Sequence, residues 1–222
     1  IAEWIKSLSE TKDKSFYFVK SGKTYFYDID KKTHLKIPGQ DAFIILDNIR
    51  ENNEVFSNND LVAVDLGDGI LNIEFRSKMN PIGGDVLNGI NTAMDIAEKE
   101  FDGVVISNTG QNFSVGANIG MIFMFAVEQE YEELNGAIKY FQDTMMRMRY
   151  SSIPTVAAPH QMALGGGCEL SMHADKIVAH AETYIGLVEF GVGVIPGGGG
   201  SKEMTMRAAL TFQKDDVELN TL

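Results

Sequence analysis

The residues of this 222-residue chain best suited to chemistry lie in three glycine-bearing segments: NFSVGANI at 112–119, ALGGGCEL at 163–170 and GLVEFGVGVIPGGGG at 186–200. In the second, Gly165, Gly166 and Gly167 run into a short helical stretch. The first N–H groups of a helix lack intrahelical acceptors and carry partial positive charge, and glycine leaves them bare of side chains. Such a terminus suits negative charge that develops only in a transition state. Glu169 lies three residues past Gly166 and so on the same face of the first turn, which would put a carboxylate and an oxyanion donor in one site. Spacing fits a plainer account equally: the glycines let helix and strand pack closely, and Glu169 complements the helix dipole. Glu189 stands among Tyr184, Ile185, Leu187, Val188, Phe190, Val192 and Val194. Desolvation there would raise a carboxyl pKa toward the range useful for proton exchange near neutrality. Two carboxylates held close do not both ionise easily, so one would act as acid and the other as base. A loop carboxylate facing water fits the same residues.

The elements that must position these groups alternate. LVAVDL and ILNIEF flank Gly67-Asp68-Gly69, a hairpin signal because Asp and Gly tolerate positive φ. A helix is expected from about Asp85 to Phe101, with Val86, Ile90, Met94 and Ala97 on one face. GVVIS at 103–107 reads as a buried strand, followed by a loop over 108–116 and one long helical stretch to about Arg149. Strand PTVAAP, the short helix CELSMHA and strand KIVAH complete an α/β pattern. Residues 1–60 read as a separate small α+β segment. SFYFVK and TYFYDI form a hairpin about Ser21-Gly22-Lys23, a helix follows over DAFIILDNI, and the Asn-rich stretch 51–60 is a loop marking the boundary with 61–222.

Composition narrows the function classes. Basic and acidic residues number 9 and 10 in residues 1–60 but 10 and 21 thereafter, for a net charge of −12 over the chain, which disfavours nucleic acid as a partner. One cysteine, Cys168, excludes a disulfide framework, and no paired Cys or clustered His has metal-ligand spacing, which points to a reducing compartment without a structural zinc, and the cytoplasm is the expected location. No apolar run approaches the roughly 20 residues that span a bilayer. The first residue is Ile and no signal-peptide pattern follows, so the chain reads as a piece of a longer protein.

NFSVGANI, following a buried strand, resembles the first block of the enoyl-CoA hydratase/isomerase (crotonase) family, and IPTVAAPHQMALGGGCELSMHADKIVAHAETYIGLVEFGVGVIPGGGG resembles the second, over roughly residues 61–210. The resemblance implies a superhelix of ββα units that binds acyl-CoA thioesters, with the enolate-like oxygen held by the N–H groups of Ala117 and Gly166. Family hydratases use two glutamates, which map onto Glu169, as the group that orients and activates water, and Glu189, as the proton donor to the α-carbon. An isomerase moves one proton and manages with one carboxylate, so both together favour the syn hydration of trans-2-enoyl-CoA to 3-hydroxyacyl-CoA in fatty-acid β-oxidation. An isomerase, or a noncatalytic scaffold, is the alternative. The same resemblance implies adenine contacts at Pro81, Val115 and Ile119 and a phosphate contact at Lys78. An acyl tunnel would include Met121, Phe123 and Met124, although ordinary core accounts for these three as well. It implies no cofactor beyond the CoA of the substrate, with NAD entering only through a dehydrogenase unit upstream in a multifunctional parent. Trimers or hexamers are the implied assembly. Asn118 stands where the family usually has Asp, and relatives continue past GGGGSKEMTMRAALTF into helices that close the acyl pocket. GGGGSK departs from a phosphate loop, since Ser201 separates glycine from lysine. His160 and His173 have no nucleophile partner and read as structural.

Overall fold

In the computed structural model, which describes residues 2–214, the chain divides after Glu54 into an N-terminal unit, Ile1–Glu54, and a larger unit, Val55–Leu222. Aromatic alternation builds the first. After α1 (Glu3–Ser9), β1 (Tyr17–Lys20), β2 (Lys23–Asp28) and β3 (Thr33–Lys36) form an antiparallel sheet in the order β1-β2-β3. Ser21 and Gly22 turn the hairpin at φ 50° and 71°, and Phe18 stacks on Tyr25 across it at 5.1 Å. The sequence pattern marks neither α1 nor β3. The helix expected over 41–49 is displaced: a 3-10 turn (Gln40–Ala42) precedes α2 (Leu46–Asn53). Gln40 explains the shift, since its side-chain amide exchanges two hydrogen bonds with the main chain of Thr24 at 2.7 and 2.8 Å and ties this segment to β2.

The stretch 51–60 is likewise not a loop throughout. It ends α2 and continues as β4 (Glu54–Ser57), whose Phe56 packs on the core of the larger unit. There β5 (Leu61–Gly67) and β6 (Ile70–Phe75) form the expected hairpin, with Gly67, Asp68 and Gly69 all at positive φ. After β7 (Pro81–Ile82), α3 (Gly84–Glu100) packs on that hairpin, completing one ββα unit. Next come β8 (Gly103–Ile106), β9 (Gly116–Ala117), α4 (Ile119–Val127), α5 (Tyr131–Arg149), β10 (Thr155–Ala157) and β11 (Met162–Leu164). The unit continues through α6 (Gly166–His173), β12 (Lys176–Ile177), β13 (Tyr184–Gly186), a 3-10 turn (Glu189–Val192) and α7 (Gly200–Lys214). The main sheet runs β12-β10-β8-β6-β5-β4, with β6, β8, β10 and β12 parallel. Parallel pairs β7-β9 and β11-β13 form two smaller sheets.

Leu61, Ala63, Leu71 and Ile73 from the sheet meet Ile90, Met94 and Ala97 from α3 and Met145 and Met148 from α5 in one buried cluster. The long helix expected to reach Arg149 is in fact two, broken at Gln129, which takes φ +60°. Glu128, Glu130, Glu132 and Glu133 crowd four carboxylates around the break, and like charges one turn apart oppose a continuous helix. Arg147 then clamps α5 to α3, donating to both Glu98 oxygens at 2.7 Å and to Asp95 at 3.0 Å.

Candidate active site

Two loop-to-element junctions converge because Ser114 stitches them together. Its N–H donates to the Met162 carbonyl and its own carbonyl accepts from Leu164 N–H, both at 3.0 Å, which sets the 112–116 loop beside β11. Its hydroxyl donates to the Asn80 carbonyl at 2.7 Å and accepts from Gly116 N–H at 3.1 Å. Gly116, at φ +94°, then approaches so closely that a Cβ would lie 2.7 Å from the Leu164 carbonyl oxygen and 3.0 Å from Gly166 N. A Cβ on Gly166 would in turn stand 3.2 Å from Ala117 N, and one on Gly167 would stand 2.8 Å from Ser114 Cβ. The glycines therefore serve both accounts at once: they permit the close approach, and that approach brings the N–H groups of Ala117 and Gly166 into one patch. Gly165, at φ 51° and ψ −119°, makes the turn that starts α6, so Gly166 is the first helical residue and its N–H has no intrahelical acceptor.

Glu169, one turn into α6, is 3% exposed. Its Oε1 accepts from Gly200 N–H at 2.8 Å, at the N-terminus of α7. Burial pushes its carboxyl above the ordinary value of 4.5; the Gly200 N–H opposes that rise, the neighbouring charge of Glu189 adds to it, and the Gly198 N–H opposes it again. Glu189 opens the 3-10 turn and is 9% exposed, and among the described residues neither of its carboxylate oxygens has a hydrogen-bond partner. Gly165 passes close beneath it, since a Cβ there would lie 3.2 Å from Glu189 Oε1.

Both carboxylates and both N–H positions line a single cavity of about 810 Å3, within the size range of small-molecule sites. Its other walls are mostly apolar side chains, among them Leu87, Ile122, Phe125, Ile138 and Phe141, with Asn118, Tyr140 and Gln142 as polar members. Among the described residues, no group of His, Cys, Asp or Glu is arranged to hold a metal ion, and no helix is long and apolar enough to cross a membrane.

Residues 65–212 match the enoyl-CoA hydratase/isomerase family. The chain belongs to that family. Among curated relatives it is 40% identical over 202 residues to the "Probable 3-hydroxyacyl-CoA dehydrogenase" of Bacillus subtilis, covering 90% of this chain and 25% of that protein. It is 30% identical over 150 residues to a "Probable enoyl-CoA hydratase" of Mycobacterium tuberculosis, covering 65% of this chain and 55% of the relative. The chain thus spans a quarter to about half of the curated relatives it matches. A solved enoyl-CoA hydratase from Thermoplasma volcanium aligns at 28% identity and a TM-score of 0.56, over 63% of this chain and 56% of the other. One from Polaromonas aligns at a TM-score of 0.62 and 24% identity, over 65% and 57%, and shows the shared fold.

Within this family member the other expected site residues divide. Val115, Ile119 and Met121 line the cavity with Ala117 and Gly166. Phe123 and Met124 are 68% and 49% exposed and do not line it; they are neither tunnel nor core. In their place the inward face of α4 offers Ile122 and Phe125, because helical register turns 123 and 124 away. Pro81 is half-buried and pairs with Gly116 across β7-β9, and Lys78 is exposed; neither lines the cavity. Asn118 replaces the usual Asp without loss of a cap, since its side-chain oxygen accepts from Met121 N–H at the start of α4. Sequence reasoning missed Phe141, against which Gly166 and Gly198 both pack, and the backbone donors at Gly198 and Gly200. The only signal for Phe141 is its helical register with Ile138 and Met145.

Proposed function

We propose that this chain carries an enoyl-CoA hydratase site, adding water syn across trans-2-enoyl-CoA to give 3-hydroxyacyl-CoA in fatty-acid β-oxidation. The observation that supports it is the convergence of two buried carboxylates, Glu169 and Glu189, on one apolar cavity that also holds the Ala117 and Gly166 backbone N–H groups. The thioester carbonyl sits between those two N–H groups, which stabilise the negative charge that grows on its oxygen as C3 is attacked. Glu169 accepts a proton from water, whose oxygen bonds to C3, and Glu189 gives a proton to C2. Water is consumed whole, and each carboxyl is reset by exchange of one proton. Among the described residues nothing accepts from or donates to the Glu189 carboxylate, while Glu169 Oε1 accepts from Gly200 N–H.

CoA enters as part of the substrate, its adenine meeting the carbonyls of Pro81, Val115 and Ile119 and its phosphates meeting Lys78. This reading includes assembly as trimers or hexamers in the cytoplasm. Hydration of crotonyl-CoA by the intact protein, followed as loss of the enoyl thioester's ultraviolet absorbance, tests it. Glu169→Gln and Glu189→Gln are each expected to slow hydration by about 10³-fold. Wild-type rates in either variant would refute the two-glutamate mechanism, and conversion of 3-enoyl-CoA without hydration would assign the site to isomerisation instead.

A further inference from the structure

Behind the Glu169 carboxylate lies a second set of charges that the reaction does not touch. Glu203, on the first turn of α7, is fully buried; Arg149 of α5 donates to its Oε2 at 2.7 Å, and Lys202 Nζ stands 3.0 Å from Oε1. Arg207 Nε lies 4.0 Å from Oε2 and His173 Nε2 lies 3.6 Å from Oε1. Apolar residues of similar volume would pack such a site at least as stably, so stability alone is a weak reason for a buried charge there.

The cluster reaches Glu169 at both ends. His173 Nδ1 bonds the Glu169 main-chain carbonyl at 2.7 Å, and because a carbonyl only accepts, Nδ1 carries the hydrogen and Nε2 is left facing Glu203. The imidazole also packs on Gly199, where at φ +114° a Cβ would lie 2.9 Å from Cε1. The Gly199 carbonyl accepts Glu203 N–H at 3.0 Å, and the next residue, Gly200, donates to Glu169 Oε1. The charged cluster thus anchors the turn whose N–H groups grip the carboxylate.

We propose that Glu203, acting with Arg149 and His173, is a positioning residue that holds the N-terminus of α7 against Glu169 and fixes the orientation of that carboxylate in the cavity. This rests on the catalytic assignment of Glu169. Glu189, from the 3-10 turn, is the other acidic group acting on Glu169. Arg149, Lys202, Arg207 and His173 are the groups that face Glu203.

The test is Glu203→Gln in the intact protein. Loosening α7 weakens the Gly198 and Gly200 N–H contacts that oppose the effect of burial on Glu169. The expected results are a fall in kcat for crotonyl-CoA of about tenfold, a KM changed less than about twofold, and an acid limb of the kcat profile moved to higher pH. A carbon-13 NMR titration of labelled Glu169 should move the same way without any turnover, and Glu203→Asp should restore most of both. Should Glu203→Gln not fold, Arg149→Lys is expected to move the titration in the same direction by less. An unchanged Glu169 titration in a folded variant overturns the proposal, as does a loss of activity that merely tracks the folded fraction with an unchanged pH profile. A moved titration in a protein that hydrates no enoyl-CoA would retain the positioning role and refute the hydratase reading.

Discussion

Glu98 and Glu169 are the same residue type in opposite surroundings, and the contrast separates a carboxylate that holds this fold from one proposed to act in it. Glu98 sits in the seam between α3 and α5, where the Arg147 guanidinium grips both its oxygens and holds its carboxyl down at about 2. Arg147 is itself pushed up by the same pairing. Glu169 is more deeply buried, has only backbone N–H donors, and shares its cavity with a second carboxylate. Its carboxyl is accordingly pushed up, burial being the main cause. A carboxylate matched to a cation contributes to stability. One buried without a cation costs stability and is poised to move a proton.

Exchanging the chemistry of the two sites should break the comparison most visibly at Glu169. Glu169→Gln is expected to lower kcat for crotonyl-CoA about 10³-fold. The same change removes a group whose folded pKa is raised, which costs stability at every pH above its unfolded value. The melting temperature at neutral pH should therefore rise; calorimetry beside a crotonyl-CoA assay reads both signs.

Gly116→Ala places a Cβ against the Leu164 carbonyl and Gly166 N at positive φ. A loss of about 10²-fold in kcat is expected as the Ala117 and Gly166 donors are pushed apart. Steady-state kinetics on folded protein checks it, and an undiminished kcat would remove the pair from the mechanism.

Glu98→Gln should do the reverse of Glu169→Gln, leaving kcat within about twofold and destabilising the fold by about 1–2 kcal/mol. Because the folded pKa is depressed from 4.5 to about 2, the stability that Glu98 contributes is fully present above 4.5 and is lost as pH falls toward 2. Chemical denaturation at pH 7 and at pH 3 should accordingly show a smaller gap between wild type and variant at the lower pH. The smallest effect belongs to Phe123→Ala. Its side chain is outside the cavity, and kcat/KM for short and long enoyl-CoA chains should agree with wild type within about twofold.

Much of this was legible from residues alone. The hairpin about Gly67-Asp68-Gly69 and α3 follow from local rules, positive-φ tolerance and a 3.6-residue period, and they appear as expected. Elements decided by distant partners were not legible. Gln40 displaces a helix because Thr24 lies beside it, and 54–57 becomes a strand because the exposed edge of β5 is available to pair. Phe123 and Met124 look like tunnel residues by type, but helical register turns them outward and Ile122 and Phe125 inward.

The sequence by itself determined the family, because the resemblance is carried by two long, ordered blocks of residues, while for Glu169 and Glu189 it supplied candidates whose spacing fits a plainer account equally. Only the tertiary structure decided that the two carboxylates share one cavity, and that Gly198 and Gly200 hold Glu169 while nothing described holds Glu189. It also decided that the buried Glu203 carboxylate, met by the partly exposed Arg149 and Lys202, lies behind the site. Those are matters of distance and burial between segments 20 to more than 50 residues apart along the chain, on which local sequence pattern is silent.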